Sequence, residues 1–217
     1  MKVQSCYSLK YGVLQPETLV EWALASRYPF LLLADINSTG AALSFVRSAQ
    51  DKGVKAVIGV ELRNDMELKA TIIARNNRGF HELNVFLSRY LHGKIDFPDR
   101  IPHLSNCYVS YPFPGPIHKL NENEYIDIQY FNLTNINLKL SILNLNKLLV
   151  LPAMVFRNQR DYNTHRLLRA MHYNTLLSKL EPSQCAKNGY LMDFNTLKQT
   201  FEPYLLALER TILLLED

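Results

Sequence analysis

The amino-acid sequence predicts an α/β fold built around a parallel sheet. Several short runs are continuously apolar, as Phe30-Leu31-Leu32-Leu33-Ala34 is, and such runs are typical of strands covered on both faces. Segments with apolar residues at helical spacing separate these runs along the chain. This alternation favours helices packed against a parallel sheet. Periodicity leaves two architectures open, a doubly wound open sheet and a small barrel.

The predicted elements are clearest between residues 16 and 61. A helix is predicted from Pro16 to about Arg27, because proline is well accommodated in a first helical turn. Its apolar face contains Leu19, Val20, Ala23 and Leu24. A second helix, Thr39 to Lys52, precedes Gly53, a residue type that often ends helices. The strand Val54 to Glu61 follows.

The remaining elements repeat this pattern less regularly. Further strands are predicted at Lys69–Ala74, Cys107–Tyr111, Glu124–Phe131 and Lys147–Val155. Further helices are predicted at Arg78–Leu91, Leu133–Asn144, Arg160–Tyr173, Asn195–Phe201 and Pro203–Glu216. The proline-rich segment Asp96–Lys119 is predicted to hold the main irregular loop.

Composition and charge limit the class of protein. The chain of 217 residues is 47% hydrophobic and 20% charged, with a net charge of +4, as is usual for a globular domain. That charge permits contact with DNA without requiring it. Three widely spaced cysteines argue against a disulfide framework. The apolar runs are too short to span a membrane and no signal peptide is recognisable, so a cytoplasmic protein is expected.

Two carboxylates, Asp35 and Glu61, lie at the ends of predicted parallel strands. In α/β folds the carboxyl ends of strands meet at one edge, where ligands and catalytic groups collect. Two carboxylates there could bind Mg²⁺ or Mn²⁺, or act as acid and base. A structural interpretation also remains open. Asp35 could cap the next helix, and Glu61 could pair with a nearby lysine or arginine.

The six histidines do not form a recognisable metal site. None of them is arranged as H-x-H or H-E-x-x-H, and none pairs with cysteines. The sequence also lacks a G-x-S-x-G nucleophile turn, a P-loop and a G-x-G-x-x-G turn, so acyl transfer and nucleotide binding have no support.

Three segments resemble the PHP domain (polymerase and histidinol phosphatase) that begins bacterial DNA polymerase III α subunits. The resemblance is strongest over residues 3–61, where Tyr-Ser-Leu, Tyr-Gly-Val-Leu, Asp-x-Asn and Ile-Gly-Val-Glu occur in the family's order. Residues 72–83 and 149–171 carry the second and third similarities, and the latter places His165 at a structural helix position. The resemblance implies a distorted seven-stranded (β/α) barrel, related to the TIM barrel.

Active members of this family hold a cluster of metal ions for phosphoester hydrolysis or proofreading, and the resemblance implies that this chain has lost most of the ligands. Residues that cannot ligate, or ligate poorly, stand at five of the ligand positions: Lys2, Gln4, Ile36, Met154 and Phe156. Asp35 and Glu61 remain, and His92 is a further weak candidate. No metal cofactor is therefore expected, although Mg²⁺ or Mn²⁺ could bind weakly. We expect Lys2 to reach the carboxylate of Asp35 or Glu61 in place of a metal.

The resemblance also implies a biological context. Residues 1–217 are expected to form a single PHP-like domain at the N-terminus of a longer DNA-directed DNA polymerase. The domain itself would be non-catalytic, packing against the polymerase core of the same chain and against a proofreading or other replisome subunit. One alternative is a metal-dependent phosphoesterase or 3′–5′ exonuclease with a rearranged site. A second alternative is a module that binds the DNA backbone.

Overall fold

One curled eight-stranded sheet forms the centre of the molecule. The computed structural model describes residues 1–116, 119–133, 145–186 and 188–216. The strands are β1 (Lys2–Val3), β2 (Phe30–Ile36), β3 (Lys55–Asn64), β4 (Glu67–Ala74), β5 (Cys107–Pro112), β6 (Glu124–Ile128), β7 (Leu148–Val150) and β8 (Ala153–Met154). Their order in the sheet is β7-β6-β5-β4-β3-β2-β1-β8.

Six α-helices connect or flank the strands in the described part of the chain. They are α1 (Pro16–Ala25), α2 (Ala42–Asp51), α3 (Asn77–Gly93), α4 (Gln159–His172), α5 (Phe194–Thr200) and α6 (Leu205–Glu216). None of these described helices is long and apolar enough to cross a membrane. The three cysteines are all unpaired, as their spacing predicts.

The predicted α/β class and nearly all predicted elements are confirmed, most with ends within a few residues of those observed. The broad strand predicted at Lys147–Val155 is divided into β7 and β8. The helix predicted at Leu133–Asn144 lies, apart from its first residue, outside the described residues.

The sheet is not purely parallel, and this corrects the prediction. β4 pairs antiparallel with both β3 and β5. Only Asp65 and Met66 separate β3 from β4, and so short a connection can join only antiparallel strands. Asp65 adopts a positive φ of 52°, a conformation that aspartate tolerates better than most residues do. The other strand pairs are parallel.

The two edges of the sheet are joined by the chain itself. β7 and β8 stand at opposite ends of the strand order, yet only Leu151 and Pro152 lie between them. Three Cα–Cα steps reach at most about 11 Å, so the two edges must be close together. Gln129 bridges them, donating to the Leu151 carbonyl at 2.9 Å and accepting from the Ala153 N–H at 3.0 Å. β7 and β8 act as two halves of one broken strand, which gives the distorted seven-stranded barrel that the resemblance implies.

Alternate residues of the strands contribute to two different cores. Leu31 and Leu33 of β2 pack in the layer between the sheet and helices α1 and α2. Leu32 and Ala34 join a second cluster inside the curled sheet, together with Leu149 of β7. Successive side chains of a strand point to opposite faces, so this division identifies which residues face the barrel interior.

His165 connects α4 to the loop that follows β1, at the carboxyl end of the barrel. Its ring is fully buried, with Nδ1 2.7 Å from the Tyr11 carbonyl and Nε2 accepting from the Ala186 N–H at 2.9 Å. This arrangement requires the neutral ring with a proton on Nδ1. Burial is the main reason that the pKa of His165 falls to about 4, and the nearby Arg169 lowers it further. The structural role implied for this histidine agrees with the contacts.

The protonation of His165 predicts a specific loss of stability in mild acid. The unfolded chain takes up this proton near pH 6.5 and the folded protein only near pH 4. The stability that the buried neutral ring contributes is therefore complete above pH 6.5 and declines as the pH falls toward 4. Between pH 6.5 and about 5, the free energy of unfolding of the wild type should fall by about 1.5 kcal/mol more than that of His165→Gln.

Urea denaturation at several pH values measures this difference. His81→Gln, at an exposed position of α3, is the matched control and should follow the wild type. Equal pH dependence in the wild type and His165→Gln would contradict the prediction.

Candidate functional site

The carboxyl ends of β1, β2 and β3 bring four of the predicted site residues together. β2 pairs with β3 so that Ile36 lies opposite Glu61, and β1 pairs with β2 so that Lys2 lies opposite Leu32. Lys2 therefore points into the barrel with Leu32 rather than toward the helices. Lys2, Gln4, Asp35 and Glu61 are all buried, with exposed fractions of 0–1%.

Asp35 is surrounded by hydrogen-bond donors from the loop that follows β1. Its Oδ1 accepts from the Ser5 N–H at 2.6 Å and the Ser8 hydroxyl at 2.7 Å, and its Oδ2 accepts from the Ser5 hydroxyl at 2.7 Å. Burial raises the pKa of Asp35 more than these hydrogen bonds lower it. Asp35 does not cap the next helix, because α2 begins after Ala41 without a side-chain cap.

Gly12 keeps this loop close to Asp35. A Cβ atom at position 12 would lie 1.7 Å from the Ser5 carbonyl oxygen, so any larger residue would displace the segment that carries Ser5. The Tyr-Gly-Val-Leu sequence thus has a steric function next to the carboxylate.

Glu61 is the centre of a buried charge cluster. Its Oε2 lies 2.8 Å from Lys2 Nζ, and its Oε1 accepts from Gln4 Nε2 at 2.8 Å and from Arg63 Nε at 2.6 Å. A second nitrogen of the Arg63 guanidinium also contacts Oε1. Burial alone would raise the pKa of Glu61, but Arg63 and Lys2 lower it to about 2. Glu61 is therefore ionised at neutral pH.

Lys2 joins Glu61 to a further carboxylate across the barrel. Its ammonium group donates to Thr71 Oγ1 at 3.0 Å and lies 3.4 Å from Asp127 Oδ2. Burial opposes the charge of Lys2, but Glu61 and Asp127 together raise its pKa. Of the two carboxylates predicted to meet Lys2, Asp35 and Glu61, the observed partner is Glu61.

Asp127 and Arg63 are members of the cluster that sequence reasoning missed. Asp127 Oδ2 also accepts from Gln129 Nε2 at 2.6 Å, and burial outweighs these contacts and raises the pKa of Asp127. Asp127 lies in the middle of the predicted strand Glu124–Phe131, so the strand-end signal that identified Asp35 and Glu61 did not mark it. The observed strand β6 ends at Ile128, one residue after Asp127. Arg63 follows Glu61 by two residues and so shares its side of β3. With both included, two cations face two carboxylates.

Four other residues predicted at the site do not reach the charge cluster. Met154 lies opposite Val3 in the sheet and packs in the core between the sheet and the helices. Phe156 lies in an aromatic group with Tyr190, 4.5 Å away, where half-buried Ile36 also packs. His92 is exposed in the last turn of α3. The predicted convergence of these positions is corrected, because side-chain alternation turns Met154 away from the barrel interior.

The residues around Glu61 do not fit a divalent metal ion. Each oxygen of Asp35 and Glu61 already has a protein donor or cation within 2.8 Å. A metal beside Glu61 would face the charges of Lys2 and Arg63 at contact distance, where Coulomb repulsion is strong. Within the described ranges, no three His, Cys, Asp or Glu side chains are grouped so that they could bind one metal.

The curled sheet, with buried polar side chains at the carboxyl ends of its strands, is typical of α/β barrel proteins. A model of the PHP domain matches residues 1–115, more than half of the chain. The chain therefore belongs to the PHP domain family.

Sequence relatives of this chain include DNA polymerase III α subunits. The subunit of Streptococcus pyogenes serotype M3 is 23% identical over 185 residues, which are 82% of this chain and 17% of that protein. The subunit of Buchnera aphidicola is 30% identical over 95 residues, or 41% of this chain and 8% of that protein. The chain thus spans less than a fifth of these relatives. Among solved structures, an amidohydrolase from Chromobacterium violaceum has a TM-score of 0.34 and 12% identity, with 80% of this chain and 83% of that chain covered.

The charge cluster predicts the effect of removing its central cation. Lys2→Met should destabilise the protein by about 3–5 kcal/mol, because it leaves the buried Asp127 without its cation and Glu61 with one fewer. The double variant Lys2→Met/Asp127→Asn should recover part of this loss, since the amide needs no counter-ion. Denaturant titration measures both.

Lys52→Met is the control for this prediction. Lys52 pairs with Glu21 at 3.3 Å on the surface, and such a pair should change stability by less than about 0.5 kcal/mol. Lys2→Met within about 1 kcal/mol of the wild type would show that the cluster contributes little to folding.

Proposed function

We propose that this chain is the N-terminal PHP domain of a DNA polymerase III α-like protein and that it supports replication without metal-dependent catalysis. In this proposal residues 1–217 form one domain, whose role is structural. It packs against the polymerase core of the same chain and provides a surface for a proofreading or other replisome subunit.

The contacts of Glu61 carry the non-catalytic part of the proposal. A hydrolytic metal cluster needs anionic and neutral ligands with free lone pairs. Here an ammonium and a guanidinium group neutralise Glu61, and serine donors occupy both oxygens of Asp35. The position of a metal charge is therefore taken by fixed protein charge. Such a barrel keeps its shape without any bound ion.

The relatives support the replication context. The similarity to DNA polymerase III α subunits extends over as much as 82% of this chain in the Streptococcus pyogenes protein. This chain corresponds to only 17% of that relative, so the polymerase activity itself would belong to other parts of a longer protein.

A metal-dependent hydrolysis assay tests the non-catalytic role. The purified chain should show no Mn²⁺-dependent hydrolysis of p-nitrophenyl phosphate or of an oligonucleotide with a single-stranded 3′ tail, because the groups around Glu61 repel the cation. Mn²⁺ should also leave the thermal unfolding midpoint unchanged.

Two variants make this assay decisive. Robust Mn²⁺-dependent hydrolysis that disappears in Asp35→Asn and persists in Asp51→Asn would reject the proposal in favour of a metal-dependent phosphoesterase. Asp51 is a suitable control because its carboxylate is exposed at the end of α2. Activity that is equal in all three proteins would point to a contaminating enzyme and leave the expected result for this chain in place.

The gene offers a separate test of the replication context. The open reading frame that encodes this chain should continue past Asp217 into a polymerase-sized segment with the acidic residues of a polymerase active site. Sequencing of the genomic locus and detection of the full-length protein by immunoblot measure this. A stop codon directly after Asp217 would contradict the proposed parent protein while leaving the absence of catalysis to the hydrolysis assay.

A further inference from the structure

A cavity of about 370 Å³ lies on the outside of the barrel, between helices α2 and α3. Leu43 of α2, Ile58 of β3 and Phe80 of α3 line it, and so does Lys55, the first residue of β3. Lys55 precedes Glu61 by six residues, which is about 20 Å along a strand. This cavity is therefore at the opposite end of β3 from the charge cluster.

The short hairpin between β3 and β4 explains why this space is open. α2 precedes β3 and α3 follows β4, so the hairpin supplies no helix to lie between them. Ala56 and Ile58 face the helices, alternating with the inward Val57, yet both stay half-buried. At one end Thr39 Oγ1 donates to Asn84 Oδ1 of α3 at 2.7 Å, which excludes a further helix about 10 Å across. The space fits a small molecule better than a helix.

Most of the cavity wall is apolar, and part of it is exposed to solvent. Leu43 is 82% exposed, whereas Val46 and Phe80 are half-buried. Ala74 at the end of β4 and Leu214 of α6 add further apolar groups. The volume is within the range of about 300–1,000 Å³ that is typical of small-molecule sites, and such sites usually combine apolar walls with a few polar groups.

The charged side chains that line this cavity are both cations. Lys55 is exposed, and its ammonium group donates to the backbone carbonyl of Glu216 at the end of α6. No carboxylate of the described residues forms an ion pair with Lys55. The guanidinium carbon of Arg75 lies 4.8 Å from the centre of the Tyr108 ring. None of the described residues that line the cavity is acidic, so its charge is complementary to an anion.

We propose that this cavity binds a small apolar carboxylate, with its hydrocarbon or aromatic part between α2 and α3 and its carboxylate toward Lys55 and Arg75. Guanidinium matches the two oxygens of a carboxylate, and an ammonium group adds a second charge-assisted contact. The apolar walls bind the rest of the molecule by removing its surface from water. A monoanion with a large apolar part suits so apolar a lining better than a multiply charged anion. The proposal does not rest on the proposed role in replication.

Isothermal titration calorimetry with four matched probes tests this proposal. 4-Phenylbutyrate has an apolar part and a carboxylate, 4-phenylbutan-1-ol lacks the charge, 4-phenylbutylamine reverses it, and acetate lacks the apolar part. 4-Phenylbutyrate should bind at one site, at least about fivefold more tightly than the alcohol, and the amine and acetate should bind more weakly than 4-phenylbutyrate. Absence of saturable 4-phenylbutyrate binding, or equal affinity for the acid and the alcohol, would overturn the proposal.

Charge variants locate the carboxylate. Lys55→Met and Arg75→Gln should each weaken 4-phenylbutyrate binding about threefold or more and leave the affinity for the alcohol unchanged, because each removes a charge-assisted contact. Arg89→Gln, at an exposed position of α3 about 14 Å along the helix from Phe80, makes the same change in net charge and should bind like the wild type. Wild-type affinity in a folded Lys55→Met or Arg75→Gln, or equal weakening in Arg89→Gln, would overturn the proposal.

A surface variant tests the apolar wall and keeps the proposal falsifiable if a charge variant does not fold. Leu43→Ser changes an exposed side chain and should fold normally. It should weaken the binding of the acid and of the alcohol by the same factor, about threefold, because it removes apolar contact surface. Leu24→Ser is the matched control, since Leu24 is 54% exposed on α1 and does not line the cavity. Unchanged affinity in Leu43→Ser places the ligand elsewhere and overturns the proposal.

Discussion

The buried ion pair between Lys2 and Glu61 is the interaction on which the interior of this barrel depends. Both side chains are completely inaccessible to solvent, and moving either charge alone out of water would be prohibitive. The pair is tolerated because each partner has further contacts, Arg63 and Gln4 on Glu61, and Thr71 and Asp127 on Lys2. One ammonium group thereby connects strands β1, β3, β4 and β6.

The architecture explains why these charges can be collected in one place. The last strand is broken between β7 and β8, so that it pairs with β6 at one end and with β1 at the other. This closure places Asp127 of β6 within reach of Lys2 of β1, although 125 residues separate them. Below this polar layer, Leu32, Val57 and Leu149 fill the interior with apolar side chains. The barrel interior is therefore apolar toward the amino ends of the strands and charged toward their carboxyl ends.

Two arginine side chains at the barrel rim, Arg63 and Arg169, differ in how their charge is compensated. Arg63 belongs to the neutralised cluster around Glu61, whereas Arg169 is stabilised by carbonyl groups and aromatic faces. Both cations lie at the carboxyl end of the barrel. The two proposals are compatible, because a domain with a structural role can bind a small molecule at the amino end of its barrel, away from these groups.

The sequence by itself determined the helices and strands, the family resemblance and the positions of Lys2, Asp35 and Glu61, because local periodicity and strand ends are short-range properties. Only the tertiary structure decided which groups meet. It selected Glu61 as the partner of Lys2, added Asp127 and turned Met154 into the outer core. It also left Arg169 without a carboxylate among the described residues. Such contacts depend on sheet closure and on the face of each strand, and neither can be read from one segment of sequence.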